Sequence, residues 1–215
     1  TLMGLELSKL IPGYQEMIDS LIRSIPFESS KPIKVLDLGC GTGNITSEVK
    51  KRYPQARVTC VDLAENMIEI SQYKLARYGD IEYQVADLRD FQYGEDNYDL
   101  IISSLAMHHL RTDEEKIAIY QRIYNALTEG GVFLNADQVL TSSEHLEKVN
   151  HEQWKAFMLK TLPLDEVEEK WVPTAYNEDH PAPLVDHLDW LRDVGFKEVD
   201  VMWKYVKGAV FGGRK

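Results

Sequence analysis

Five short apolar runs, residues 33–38, 57–62, 81–87, 98–104 and 131–137, are separated by helical patterns at about 44–53, 65–78 and 113–128. Runs this short, most of them rich in β-branched side chains, read as strands, and the three- and four-residue spacing between them reads as helix. A strand that passes through a helix to the next strand does so by a right-handed crossover. The alternation therefore specifies a mostly parallel sheet covered by helices on both faces. The C-terminal part breaks the rhythm. There "PLVDHLDWLRDVGF" reads as a helix, and "KEVDVMWKY" and "VKGAVFGGRK" read as strands joined by a turn too short for a crossover, hence an antiparallel hairpin. The expected fold is α/β: a seven-stranded, mostly parallel sheet with helices on both faces, a terminal antiparallel hairpin with one reversed strand, and a helical insertion after the fifth strand.

At 215 residues the chain suits one domain, 1–215, able to bury about 70% of its unfolded surface. Tyr14, Met17, Ile18, Leu21, Ile22 and Ile25 recur at helical steps after "IPGY", so residues 1–30 are expected to be an N-terminal helical segment. Residues 138–183 hold helical spacing at Leu146, Val149, Trp154, Phe157, Met158 and Leu162, followed by the acidic stretch "PLDEVEEKW". Segments of this length inside a domain usually carry their own structure or a function. No apolar run reaches the ~20 residues of a membrane span. The two cysteines, Cys40 and Cys60, fit reduced thiols, and a cytoplasmic location is expected. The formal charge of −11, with no long Lys/Arg cluster, argues against nucleic acid as a bulk partner.

The stretch "VLDLGCGTGNIT", 35–46, sets three glycines two residues apart at the end of the first strand. In an open α/β sheet, ligands sit outside the carboxyl ends of the strands, and glycines there let backbone approach the ligand. Asp62 ends the second strand, where a carboxylate can accept from both ribose hydroxyls. Asp87, beside the amide of Leu88, lies where the third strand reaches an adenine. A dinucleotide fingerprint requires glycine at position 44, which is Asn44.

In order and spacing, "VLDLGCGTG", "VTCVDLAENMI", "VADLRDF", "YDLIISSLAMHHL" and "LTEGGVFLNAD" resemble the class I S-adenosylmethionine-dependent methyltransferases. The likeness covers about residues 33–137 and the terminal hairpin. It implies S-adenosyl-L-methionine as cofactor and S-adenosyl-L-homocysteine as product. It also implies a glycine turn (Gly39, Cys40, Gly41, Gly43) beside the methionine portion, Asp62 on the ribose, and Leu63 and Met67 among the cofactor-binding residues. Asp87 and Leu88 would hold the adenine, and Ser103 and Ser104 the sulfonium side. A narrower likeness joins "LSKLIPGYQEMID" to the carboxy-S-adenosylmethionine synthases of tRNA wobble-uridine modification, and implies that Tyr14 touches the cofactor. That family's carboxylate-binding arginine on the helix before the hairpin falls on Trp190 here, with Arg192 two residues on, so ordinary methyl transfer is expected.

Methyl transfer needs alignment and exclusion of water, and for some acceptors a base. His109 is the first choice for that base. His108 and Asp137, on the same rim, are the other candidate catalytic residues, each with an alternative reading as a packing or loop-bonding group. Residues 138–190 hold eleven Asp/Glu against four Lys and no Arg, so the insertion is read as a lid over a small neutral or cationic acceptor. His151, Trp154, Tyr176 and His180 are possible pocket residues. His145, His151 and His180 with Asp137 match no metal-ligand spacing, so no metal site is assigned. A nicotinamide oxidoreductase is disfavoured by Asn44 and the "HHL" signal, whereas a non-catalytic cofactor-binding module reads identically. The oligomeric expectation is a monomer or homodimer.

Overall fold

The structure, a computed structural model, describes residues 7–215. Helix α1 (Tyr14–Arg23) precedes the sheet. There follow β1 (Lys34–Leu38), α2 (Asn44–Arg52), β2 (Arg57–Asp62), α3 (Glu65–Leu75), β3 (Ile81–Val85) and β4 (Tyr98–Ser104). A 3₁₀ turn (Met107–His109), α4 (Asp113–Ala126) and β5 (Leu127–Gln138) complete the parallel part. The insertion carries α5 (Glu144–Met158), α6 (Leu164–Glu166), a π-helical turn (Val167–Trp171) and α7 (Val172–Asn177). Helix α8 (Leu184–Val194) leads into β6 (Lys197–Tyr205) and β7 (Gly208–Arg214).

The sheet has seven strands in the order β3-β2-β1-β4-β5-β7-β6. All neighbouring pairs are parallel except β5–β7 and β7–β6, so β7 is the one reversed strand. Strand order reverses between β1 and β4, the switch point at which a crevice opens above the strand ends. Alternate side chains feed two cores. Val35, Val58, Cys60, Leu100, Ile102 and Val210 pack under α1, α2 and α3. Leu36, Leu38, Val61, Ile101, Phe133 and Phe211 face α4 and α8. Period-two alternation across a sheet buried on both sides is what makes each strand read as a nearly unbroken apolar run.

Two boundaries differ from the sequence expectation. Strand β5 begins at Leu127 rather than 131, because Leu127 passes straight out of α4 and pairs with Tyr98 before a bulge restores the register at Leu100 and Val132. Strand β3 ends at Val85, so Asp87 lies in the turn beyond it, where its carbonyl accepts from Phe91 N.

The insertion leaves and returns at one point. Leu140 N donates to Ala182 O at 2.9 Å and Leu184 N donates to Leu140 O at 3.1 Å. Above this staple, Trp154, Met158 and Val167 bury against Val206 and Leu10, and Trp154 Nε1 donates to Leu10 O at 2.8 Å. The helices of 144–177 are thereby tied to the segment before α1, over the carboxyl ends of the strands. Among the described residues no helix is long and apolar enough to cross a membrane.

Candidate functional site

A cleft of about 780 Å³ opens at the switch point. Its floor is the glycine turn: Gly39, Cys40 and Gly41 line it, and Gly39 and Gly41 hold φ of 69° and 52°. A Cβ on Gly39 would stand 2.3 Å from Cβ of Ala106, so only glycine lets the β1 and β4 turns pass each other here. Gly43 has another task. It does not line the cleft. A Cβ there would meet Ser71 Oγ at 2.6 Å and Leu75 at 2.7 Å, so it lets α2 start against α3.

Asp62 is fixed by backbone. Its Oδ2 accepts from Gly41 N at 2.8 Å and its Oδ1 from Ala64 N at 2.9 Å. A carboxylate has about four acceptor sites, so two remain for a ligand diol. Asp87 is held by Arg89, which donates through its main-chain N (2.8 Å), Nε (2.9 Å) and guanidinium Nη2 (2.6 Å), and this bonding holds the Asp87 carboxyl below its usual range. Arg89 also meets Glu115, the acid of a capping box in which Thr112 Oγ1 accepts from Glu115 N. Rim and α4 are thus one network. Sequence reading missed Arg89 and Glu115, although "TDEE" carries the capping-box signal.

Tyr14, Leu63, Met67, Leu88 and Ser104 line the cleft. Asn44 Nδ2 donates to Tyr14 Oη at 3.5 Å, which joins the start of α1 to the start of α2. Ser103 does not line it: the residue is buried within β4 and its hydroxyl donates to Leu38 O at 2.9 Å, because alternate residues of a strand face opposite ways. Asp37, not singled out in the sequence, is buried and borders the cleft. Burial, partly offset by the bond from Thr46 Oγ1, pushes its carboxyl up to about 7. The Cys60 thiol and then burial push Cys40 up, so it stays a protonated lining group.

Beyond Leu105 and His109 the cleft meets a second cavity of about 270 Å³, walled mainly by Leu10, Ile11, Leu105, Trp154, Trp171 and Ala175. His109 borders both spaces. His108 borders only the second and is buried: its Nδ1 lies 2.5 Å from Asp137 Oδ1 and its Nε2 3.5 Å from Asp179 Oδ1. Asp137 is also buried, accepts from Gln138 N at 2.8 Å and from His108 N at 3.2 Å, and reaches neither space. The alternative reading of Asp137 as a loop-bonding group is the one the geometry matches. Burial opposes charge on His108, but Asp137 and then Asp179 raise its pKa overall. For His109, burial and then His108 lower it.

Among the described residues, His108, His109 and Asp179 form the cluster with metal-ligand proximity, not His145, His151 and His180 with Asp137. His180 contributes its main-chain N, which donates to His108 O at 2.7 Å. His151 makes tilted ring contacts with Trp154 and Tyr176. Trp203 packs over Gly13.

The family profile described as a methyltransferase domain matches residues 35–131, from β1 into β5. This domain, the sheet order and the relatives below support a class I S-adenosylmethionine-dependent methyltransferase, with S-adenosylmethionine as cofactor. Along nearly its whole length the chain is similar to the carboxy-S-adenosyl-L-methionine synthase of Helicobacter hepaticus: 26% identical over 216 residues, 97% of this chain and 89% of that one. Over a shorter stretch it is 31% identical to the demethylmenaquinone methyltransferase of Leptospira interrogans, covering 54% of this chain and 47% of that one. Among solved structures, phosphoethanolamine N-methyltransferase 2 of Haemonchus contortus in complex with S-adenosyl-L-methionine shares the fold. The TM-score is 0.65 at 19% identity over 87% of this chain, which spans 38% of that one.

Proposed function

We propose that this protein transfers a methyl group from S-adenosylmethionine to a small neutral or cationic acceptor seated in the cavity beyond His109. One observation carries the reading: the cleft and the apolar cavity share Leu105 and His109. A cofactor in the one and an acceptor in the other can then meet in line at that junction, with water excluded by the insertion. In this reading Asp62 takes the ribose hydroxyls and Asp87 and Leu88 the adenine. Gly39, Cys40, Gly41, Tyr14 and Ser104 surround the methionine portion, and Leu63 and Met67 close over the nucleoside. His109 positions the acceptor atom, while Asp137 and His108 act behind it. The acidic insertion favours a cationic acceptor over a polyanion such as nucleic acid.

A second reading, carboxy-S-adenosylmethionine synthesis, is favoured by the similarity that spans 89% of the synthase of Helicobacter hepaticus. Against it, Arg192 on α8 pairs with Asp189 at 2.8 Å on the surface and Trp190 packs on His187, and neither lines the cleft. The arginines that line it are Arg89 and Arg111.

Calorimetric titration with S-adenosylhomocysteine and with a nicotinamide dinucleotide, together with mass spectrometry of nucleoside released from purified protein, tests these readings. Binding of the first ligand alone, with released cofactor lacking an added carboxyl, is the expected result. A released cofactor carrying that carboxyl would favour the synthase. Binding of neither ligand would leave a module without cofactor.

A further inference from the structure

His108, His109 and Asp179 bring three ligand-type atoms together where the cleft meets the cavity. His108 Nε2 lies 3.5 Å, and His109 Nδ1 3.6 Å, from the same oxygen, Asp179 Oδ1. A charge-assisted N–H···O bond closes to about 2.8 Å. Ligands on a tetrahedral ion with bonds of ~2.1 Å stand about 3.4 Å apart. The observed separations match the second spacing.

The surroundings agree. Asp137 Oδ1, 2.5 Å from His108 Nδ1, accepts a hydrogen bond from that nitrogen and leaves Nε2 turned to Asp179, the carboxylate–histidine arrangement that orients metal ligands. Gln138 Nε2 donates to Asp179 Oδ2 at 3.2 Å and leaves Oδ1 for the cluster. Two carboxylates thus flank one buried imidazole, a charge set that a dication completes.

We propose that His108 Nε2, His109 Nδ1 and Asp179 Oδ1 bind a divalent transition metal. Two imidazoles and one carboxylate suit zinc, cobalt(II) or iron(II) better than magnesium or calcium, which prefer all-oxygen sets. All three residues line the apolar cavity, so the position that three protein ligands leave free opens onto it. An oxygen acceptor bound there would be polarised and would lose its proton more readily. That consequence rests on the proposed methyl transfer, whereas metal binding does not.

The test uses the full chain without a polyhistidine tag, stripped with chelator and titrated with zinc by calorimetry and with cobalt(II) by visible absorption. One equivalent is expected to bind, with the d–d spectrum of a four- or five-coordinate cobalt(II) site. Asp179→Asn should weaken binding by more than about tenfold and Gln138→Ala by about tenfold. Both variants should keep native circular dichroism and wild-type affinity for S-adenosylhomocysteine. No saturable binding to the wild type, or equal affinity in Asp179→Asn, would overturn the site. If metal binds as expected but S-adenosylhomocysteine does not, the methyl-transfer reading falls and the metal site stands.

Discussion

Asp62 and Asp37 lie 25 residues apart in the chain and share one cleft, but they answer to different physics. Asp62 spends two acceptor sites on Gly41 N and Ala64 N, so its carboxylate is oriented before any ligand arrives. On the proposed function, Asp62→Ala removes the diol contacts and that orientation together. The expected loss is about 2–4 kcal/mol of affinity for S-adenosylhomocysteine, and undiminished affinity by calorimetry would remove Asp62 from the site. Asp37 is a buried acid whose carboxyl is pushed up to about 7 in the folded state, above its ordinary 3.8. The folded state therefore holds a proton the unfolded state has already lost. The stabilisation is fully present below the unfolded pKa and is lost as pH rises through the folded one. Asp37→Asn lacks this slope, so its stability relative to wild type should improve by about 2–3 kcal/mol between pH 5 and pH 8 in urea titrations. A pH-independent difference would mean that Asp37 ionises normally. At this scale the sequence showed which residue types stand at strand ends, so Asp62, Gly39 and Gly41 were legible. Ser103 and Gly43 were not, because facing and helix–helix clearance depend on atoms distant in the chain.

Elements decide how these residues are held. Helix α1 brings Tyr14 to the cleft that the glycine turn also lines, and Asn44 at the start of α2 meets its hydroxyl. Tyr14→Ala should weaken S-adenosylhomocysteine binding by about tenfold, as loss of one partly buried aromatic contact implies. Tyr14→Phe, losing only a 3.5 Å bond, should stay near wild type. Equal constants for all three proteins would detach the N-terminal segment from the cofactor. The insertion was legible as helices but not as to its anchor. Trp154, 7% exposed, reaches Leu10 O, 144 positions away in sequence. Trp154→Ala should cost about 3–5 kcal/mol of local packing. By hydrogen exchange that loss should appear as reduced protection across 144–177, with the sheet unchanged. A uniform loss of protection would mean that the insertion and the sheet unfold as one unit.

Over the whole molecule, the switch-point cleft and the apolar cavity meet at the histidine cluster above the strand ends, and the insertion walls the cavity through Trp154, Trp171 and Ala175. His109→Ala tests that junction. With a competent acceptor, kcat should fall by on the order of 100-fold while affinity for S-adenosylhomocysteine changes little. A loss confined to cofactor affinity would assign His109 to the cleft alone. The sequence by itself determined the alternating α/β order, the reversed terminal strand, the glycine turn and the acid that follows it, because each rests on local periodicity or on what a strand end permits. Only the tertiary structure brought Asp137 into hydrogen bonding with His108 and Arg89 onto Asp87. It alone brought Asp179, distant in sequence, to both histidines. The reason is physical: a side chain's partner is set by where crossovers and the returning insertion bring the chain, and no spacing along the sequence encodes that distance.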